Sequence, residues 1–292
     1  MIGVGRLGGA LAIALARAEY QIVRLVHRSA GTAAKVSRNI ASRVELSRLS
    51  DVVRLDSDIV LVACPDQVME EVVREMRAKT KGGQIVLHTS GSLSSEVLSP
   101  LRNTGAAIGS MHPLASISDP IDGASRFEGT YFCVEGDAPA VKVGRQMAKS
   151  LGANPFAIDP GSKPLYHASA VMAAGHTVAL FDAACEVLSA CGVEINMTRK
   201  ILLPLIRTSI DNLKTQPPDR ALTGTYARAD ASTAEKHLMF LKDQVRSETV
   251  EIYIDLALRS VELALRAGGN GQQLAKIRDL ILMAKADPGV LK

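Results

Sequence analysis

The segment Gly3-Val4-Gly5-Arg6-Leu7-Gly8 runs directly into an apolar helical stretch at residues 9–17. In this spacing the first glycine allows a tight turn, the second lets a phosphate approach the backbone, and the third lets the helix pack on a strand. The start of the helix offers free N–H groups and a positive dipole end. We therefore predict that this turn binds the pyrophosphate of a dinucleotide through Gly3, Gly5, Arg6, Leu7 and Gly8.

The second predicted strand, residues 21–27 (QIVRLVH), continues into Arg28 and Ser29. A site for NAD has a carboxylate near this point to bind the ribose 2′-hydroxyl. This sequence has none, whereas the Arg28 guanidinium matches a phosphate and Ser29 adds a short donor. We predict that His27, Arg28 and Ser29 bind the 2′-phosphate of NADP(H). The alternative is that Arg28 is an ordinary solvated surface residue.

The first half of the chain alternates β-branched runs with helical stretches. Strands are predicted at residues 21–27, 58–64, 84–88, 106–110, 130–134 and 156–158, and helices at 8–17, 66–79 and 138–151. Nearly continuous apolar runs indicate strands that are buried on both faces, as in a parallel sheet covered by helices. We predict a doubly wound Rossmann domain over residues 1–159 and an all-helical domain over residues 160–292.

The first strand is short for this fold, because only Met1 and Ile2 precede Gly3. A central strand typically has about five residues. Two explanations remain open from the sequence: the chain starts further upstream, or the strand is unusually short.

The composition narrows the class of protein. With 292 residues the chain exceeds the usual size of a single core, and its net charge of +4 is small. The absence of Trp, with five Phe and five Tyr, argues against a surface that stacks nucleic-acid bases. The four cysteines have no metal-ligand spacing, so buried thiols in a reducing compartment and no metal site are expected.

No secretory signal or membrane span is predicted from the sequence. The longest apolar run, residues 168–181, is interrupted by His176 and Thr177 and is interpreted as a buried core helix. A cytoplasmic protein is therefore expected.

Candidate chemistry lies where the predicted strands end, since ligands of open α/β sheets bind beyond the carboxyl ends of the strands. Pro65, after Cys64, would shape the loop below the nicotinamide ribose. Ser90 offers a hydroxyl and Gly91 allows close approach of the backbone; alternatively, the Ser-Gly-Ser segment only turns the chain and caps a helix that begins near residue 94. His112 would act on the substrate, because a neutral imidazole can donate or accept a hydrogen bond.

A second cluster lies on the helix predicted to start at Lys163. Lys163 and His167 are four residues apart and therefore share one helical face. We expect both to contribute to the substrate site. The alternatives are a solvated lysine in the first turn and a histidine satisfied in the core.

Segments 88–120, 163–180 (KPLYHASAVMAAGHTVAL) and 221–238 (ALTGTYARADASTAEKHL) resemble bacterial proteins in which a Rossmann-like domain precedes a DUF2520 domain. These proteins are distantly related to pyrroline-5-carboxylate reductases, prephenate dehydrogenases and 6-phosphogluconate/β-hydroxyacid dehydrogenases. The resemblance implies oxidoreductase chemistry and a homodimer formed through the C-terminal helices, but no substrate. By analogy with the Lys-x-x-x-Asn pattern of β-hydroxyacid dehydrogenases, Lys163 would be an acid/base. The sequence departs from the family pattern at its short first strand and at Thr225 and Ala229, which stand where the family usually has Pro and Gly.

Together these patterns predict an NADP(H)-dependent oxidoreductase that transfers hydride to or from a small, anionic carbonyl, imine or hydroxy compound. His112 or Lys163 would supply the proton, since the cofactor carries the redox chemistry. The alternative is a non-catalytic NADP-binding sensor or scaffold that dimerises through its helices.

Overall fold

The structure, a computed structural model, describes residues 1–286. They form two compact units, Met1–Ala174 and a second unit that begins at Gly175. The helix that follows residue 160 is therefore grouped with the sheet unit, whereas the sequence places the domain boundary between residues 159 and 160. Residues 287–292 of the predicted helical domain lie outside the described residues.

The first unit is a doubly wound α/β domain. Its strands are β1 Arg24–Val26, β2 Glu45–Ser47, β3 Ile59–Val62, β4 Ile85–His88, β5 Ala107–Pro113, β6 Tyr131–Gly136 and β7 Asn154–Phe156. Its helices are α1 Arg6–Arg17, α2 Ala30–Ser37, α3 Met69–Met76, α4 Pro120–Gly123, α5 Ala138–Ser150 and α6 Lys163–Ala173. Short 3-10 segments cover Leu49–Asp51, Asp66–Val68, Ser95–Thr104 and Pro160–Ser162.

The sheet is mostly parallel. Strands β3 to β7 are hydrogen-bonded in chain order, and only β6 runs antiparallel to its neighbour β5. The parallel pair β1–β2 is joined to them by Ile2, which bridges to Val26 on one side and to Val62 on the other. Ile2 thus occupies the position of the central first strand, and the predicted fold class is confirmed.

The central strands are buried on both faces, which explains their unbroken apolar runs. Leu61 and Leu87 pack with α1 in one core cluster, while Val60, Val62 and Val86 pack with α3 in another. Alternate residues of a strand point to opposite faces, so each strand needs an apolar residue at every position.

The second unit is helical throughout its described residues, apart from its connecting loops. It contains α7 Gly175–Ala190, α8 Ile195–Thr215, α9 Pro218–Ala221, α10 Ala231–Gln244, α11 Ser247–Arg266 and α12 Gly271–Ala286. Its core lies among α10, α11 and α12, with fully buried residues such as Leu274 and Ile277. Before α10, Ala229 has a φ of 52°, a left-handed conformation that favours glycine.

The prediction of one buried core helix at residues 168–181 is wrong. Helix α6 ends at Ala173 and α7 begins at Gly175, and Met172 and Val178 are 65% and 70% exposed. The apolar content of a helix shows that burial of its surface is favourable. It does not show that residues of the same chain bury that surface. By length and composition alone the helical stretch Pro160–Ala190, which contains an 18-residue window with a mean hydropathy of 1.4, could cross a membrane, as the core helix of a soluble protein also could.

The expectation of buried thiols is met in part. Cys133 and Cys185 are buried, Cys64 is half-buried and Cys191 is exposed, and all four are free.

Candidate active site

The glycine turn lies between Ile2 and α1, and its three glycines meet different surroundings. Gly3 has a φ of 87°, and a Cβ on it would lie 2.5 Å from the Ala63 carbonyl oxygen. A Cβ on Gly8 would lie 2.0 Å from the Gly3 carbonyl oxygen, whereas a Cβ on Gly5 would meet nothing within 4 Å. Gly3 and Gly8 therefore serve the fold, and Gly5 faces open space.

The first turn of α1 borders this open space. Gly5 precedes the helix and provides no side-chain cap, so the first backbone N–H groups of α1, beginning with Arg6 and Leu7, remain available to a ligand. The turn therefore has the space and the donors that a pyrophosphate requires.

The end of β1 leads to a basic, exposed segment. Arg28 and Ser29 are exposed, and Arg28 forms no ion pair or hydrogen bond within residues 1–286. The half-buried His27 has a buried Nδ1 atom without a partner among these residues. The Ser29 hydroxyl lies 3.5 Å from that of Thr32. These side chains are free to bind an anion.

The loops that follow β3 and β4 are tied together. Ser92 Oγ donates to Asp66 Oδ2 over 2.5 Å. In the β3 loop, which continues through Pro65, Cys64 contacts the Met69 sulfur at 3.6 Å, and burial raises the pKa of the Cys64 thiol to about 11. Cys64 is therefore a neutral thiol at physiological pH.

The Ser90-Gly91-Ser92 segment turns the chain, as one of the two sequence interpretations holds. Ser90 Oγ accepts hydrogen bonds from the backbone N–H groups of Ser92 and Leu93. The helix cap that this alternative also includes is not seen, since Ser94, the residue before the segment Ser95–Thr104, makes no side-chain cap. Instead the buried carboxylate of Glu135 accepts from Ser95 N at 2.8 Å and from Ser95 Oγ at 2.6 Å. Glu135 lies on β6, so the sequence near residue 94 gave no indication of it.

Lys163 is fully buried rather than solvated. Its Nζ donates to the Ser90 carbonyl oxygen at 3.0 Å and to Ser110 Oγ at 2.7 Å. Burial lowers the pKa of the Lys163 ammonium below its usual value. The side chain thus connects α6 with the loop after β4 and with the middle of β5.

His112, at the end of β5, lies against α6. Its Nδ1 is 2.7 Å from Tyr166 Oη, and its ring centroid is 6.0 Å from that of His167. Burial and, second, the nearby Lys163 ammonium lower the pKa of His112 to about 3. The same two causes lower the pKa of His88, whose Nδ1 accepts from Ser90 N, to about 4. Both imidazoles are neutral near pH 7.

Two imidazole rings pack against Gly91 so closely that a side chain there would overlap them. A Cβ on Gly91 would lie 2.8 Å from His112 Nε2 and 2.5 Å from His167 Nδ1, and the latter atom is buried without a partner in residues 1–286. The structure therefore brings His112, Lys163 and His167 together around Ser90 and Gly91.

Tyr166 was not identified from the sequence. Its position three residues after Lys163 places it on the same side of the helix, which was the available signal. Among residues 1–286 no group of His, Cys, Asp and Glu side chains has an arrangement that could hold a metal ion.

A doubly wound sheet with a glycine turn at its strand ends is the architecture of a dinucleotide-binding domain. The family profile described as a Rossmann-like domain matches residues 1–113, and that of a domain of unknown function, DUF2520, matches residues 130–260. The chain thus combines a Rossmann-like domain with a DUF2520 domain, and the resemblance noted in the sequence is confirmed.

Several solved structures share this fold. A Bacteroides fragilis protein, BF3122, assigned as an NADP oxidoreductase, has a TM-score of 0.70 at 21% identity over 90% of this chain and 96% of its own. Protein TM1727 from Thermotoga maritima has a TM-score of 0.70 at 20% identity over 91% and 97%. Pyrroline carboxylate reductase from Plasmodium falciparum, solved with NADP bound, has a TM-score of 0.54 at 14% identity over 98% and 97%. No curated protein matches the sequence significantly.

Proposed function

We propose that this protein is an NADP(H)-dependent oxidoreductase that transfers hydride to or from a small, anionic carbonyl, imine or hydroxy compound. One observation carries the proposal: His112, Tyr166 and His167 meet around Gly91, in a loop that Ser92 and Asp66 connect to the strand end beside the glycine turn. A bound nicotinamide would supply the hydride, and the imidazoles would bind the reacting group. The NADP named for two similar structures supports the choice of cofactor.

The roles in this proposal follow from the contacts of each side chain. Lys163 is engaged by two buried acceptors, so we assign it to holding the Ser90 loop. His112 and His167 pack against Gly91 at the strand ends, and we assign contact with substrate to these two imidazoles. A sensor or scaffold would not need polar side chains to converge here, and the enzyme is therefore favoured.

The free cysteines are in keeping with a cytoplasmic protein.

The proposed cofactor specificity predicts a clear effect of Arg28→Ala. Because a charge-assisted hydrogen bond is worth about 1.5–3 kcal/mol, the variant should bind NADPH at least about tenfold more weakly, with NADH binding unchanged. Fluorescence titration of both cofactors measures this. Arg17→Ala removes the same charge from an exposed position at the end of α1 and should bind both cofactors like the wild type. Equal affinity of the wild type for NADPH and NADH would refute the 2′-phosphate assignment.

We also propose that two copies associate through the helical unit. Helices α7, α10 and α11 border an apolar groove with a cavity of about 780 Å³, lined by residues such as Leu180, Phe240 and Leu256. Helix α8 of the same unit exposes an apolar stripe formed by Met197, Ile201, Leu205 and Leu213. The groove and the stripe lie on the same chain. In a pair of copies, the groove of each copy can therefore bind the stripe of the other, which is the arrangement that a two-fold interface requires.

The helices that carry the groove and the stripe have opposite net charges. Helix α8 carries four basic residues and one acidic residue, whereas α7, α10 and α11 together carry eight acidic and four basic residues. Opposite net charge favours docking of α8 onto these helices over docking of α8 onto itself. We therefore assign the groove to α8 of a second copy.

Leu205→Glu is expected to convert the dimer into a monomer, because it puts a carboxylate into an apolar groove. Light scattering coupled to size-exclusion chromatography gives the mass. Thr215→Glu, which adds the same charge at the end of α8, should leave the dimer intact. A monomeric wild type, or a dimeric Leu205→Glu variant, would contradict the assignment.

A further inference from the structure

A cleft separates the two strands that flank Ile2 in the sheet. Its volume is about 360 Å³, and it is bordered by residues 20–24, which lead into β1, and by residues 55–61, which lead into and form most of β3. Met1 and Ile2 also line the cleft, and Ile2 bridges to Val26 on one side and to Val62 on the other. The two strands are therefore joined only at their later residues, and the cleft lies between their earlier ones.

The backbone of both walls is oriented to pair with one more strand. Val26 N and Ala63 N donate to the carbonyl oxygens of the first two residues of the chain. In a parallel sheet the residues of a strand bond alternately to the neighbours on its two sides. The N–H groups of Arg24 and Leu61, each two residues earlier, therefore face the cleft. An extended segment between the walls can accept hydrogen bonds from both.

The side chains on both faces of the cleft are apolar. Leu15 and Met147 line it from the core cluster that contains α1. Leu55 and Val60 line it from the cluster that contains α3. The exposed Asp58 also belongs to the lining and adds a negative charge. A segment that presents apolar side chains to both faces and a cation beside this carboxylate matches these walls.

We propose that this cleft is an acceptor site for one short, extended, apolar segment of polypeptide, which is joined to Met1 and runs parallel to β1 and β3. Bound there, the segment pairs with backbone on both sides and excludes water from both core clusters. It also extends the two-residue central strand toward the length of about five residues that is typical of strands.

The bridges of Ile2 define the register of such a segment. The residue directly before Met1 lies opposite Val60 and points to the same face as Ile2, which packs in the cluster with α3. The residue before that one lies opposite Ile59 and points to the other face, where α1 packs. Both positions therefore favour an apolar, β-branched side chain.

Two extended chains test the proposal. In one, the tetrapeptide Met-Lys-Val-Val precedes Met1; in the matched control, Met-Lys-Asp-Asp precedes it, and two carboxylates are unfavourable between apolar walls. Amide hydrogen exchange, followed by NMR, should be at least about tenfold slower at Arg24 and Leu61 in the Val-Val chain than in the control. The amide of Ile277, in the core of the helical unit, is the internal reference and should exchange at the same rate in both chains.

Equal exchange rates of Arg24 and Leu61 in the two chains would overturn the proposal. An equal slowing at Ile277 would also overturn it, because general stabilisation would then explain the result. Loss of folding in the Val-Val chain would count against it in the same way, since a segment that fits the cleft does not disrupt its walls. The measurement uses no cofactor or substrate, so its outcome is independent of the proposed oxidoreductase function.

Discussion

Replacing Gly8 by alanine is expected to destabilise the protein severely, whereas replacing Gly5 by alanine is expected to impair only cofactor binding. The added methyl group of Gly8→Ala would lie 2.0 Å from the Gly3 carbonyl oxygen and 2.9 Å from Ala63 Cβ, a clash with backbone that cannot rotate away. We expect a loss of about 3 kcal/mol or more in the free energy of unfolding, measured with urea. Gly5→Ala meets nothing within 4 Å and should change this free energy by less than about 1 kcal/mol.

The two variants separate the structural role of the turn from its binding role. If the pyrophosphate lies against Gly5, the methyl group of Gly5→Ala occupies its place, and NADPH affinity should fall at least about tenfold in a protein of normal stability. Gly31→Ala, in α2, also meets no atom within 4 Å and should leave both stability and affinity near the wild-type values. Normal NADPH binding by Gly5→Ala would place the phosphates elsewhere, and a stable Gly8→Ala variant would contradict the packing of α1 on Gly3.

The central part of the sheet could be predicted from the sequence because its strands are buried on both faces. The runs at residues 58–64 and 84–88 contain β3 and β4 and have no competing helical interpretation. Helix α2 and strand β2 were not predicted, and the residues of β2 are largely exposed, which leaves little apolar pattern to recognise. The apolar pattern of residues 168–181 was recognised, but its burial depends on surfaces that one chain does not define.

The candidate site shows the same limit. His112 could be selected because strand ends of a parallel sheet meet at one edge, and Lys163 and His167 because they are one helical turn apart. The partners that define their chemistry are set by tertiary packing: Tyr166 is 54 residues from His112, and Lys163 is 73 residues from the Ser90 carbonyl. No local pattern reveals such pairs. Which residues lie at the site could therefore be predicted more reliably than the protonation state or role of each one.

A chain that begins at Met1 is expected to become more stable as the pH rises toward 8. The N-terminal amine donates to the Arg24 carbonyl oxygen at 2.9 Å within the sheet, and burial, with a smaller contribution from Arg24, lowers its pKa from 8.0 to about 5. Between these values the unfolded chain binds more protons than the folded chain, so the free energy of unfolding rises with pH. The full shift of three pKa units corresponds to about 4 kcal/mol, which is lost completely below about pH 5.

Above pH 6.5 the amine contributes more than the histidines do. His88 and His112 also have lowered pKa values, but half of their unfolded-state protonation is already lost at their ordinary value of 6.5, so together they add less than about 1 kcal/mol above it. From about pH 6.5 to 8 the free energy of unfolding, measured with urea, should rise by about 2 kcal/mol. Acetylation of Met1 is the matched control: it removes the charge and keeps an N–H for Arg24, so only the smaller histidine part of the rise should remain. An equal rise in both forms would show that the amine is charged and solvated in the folded protein. The amine of Met1 would then not be buried in the sheet beside Ile2.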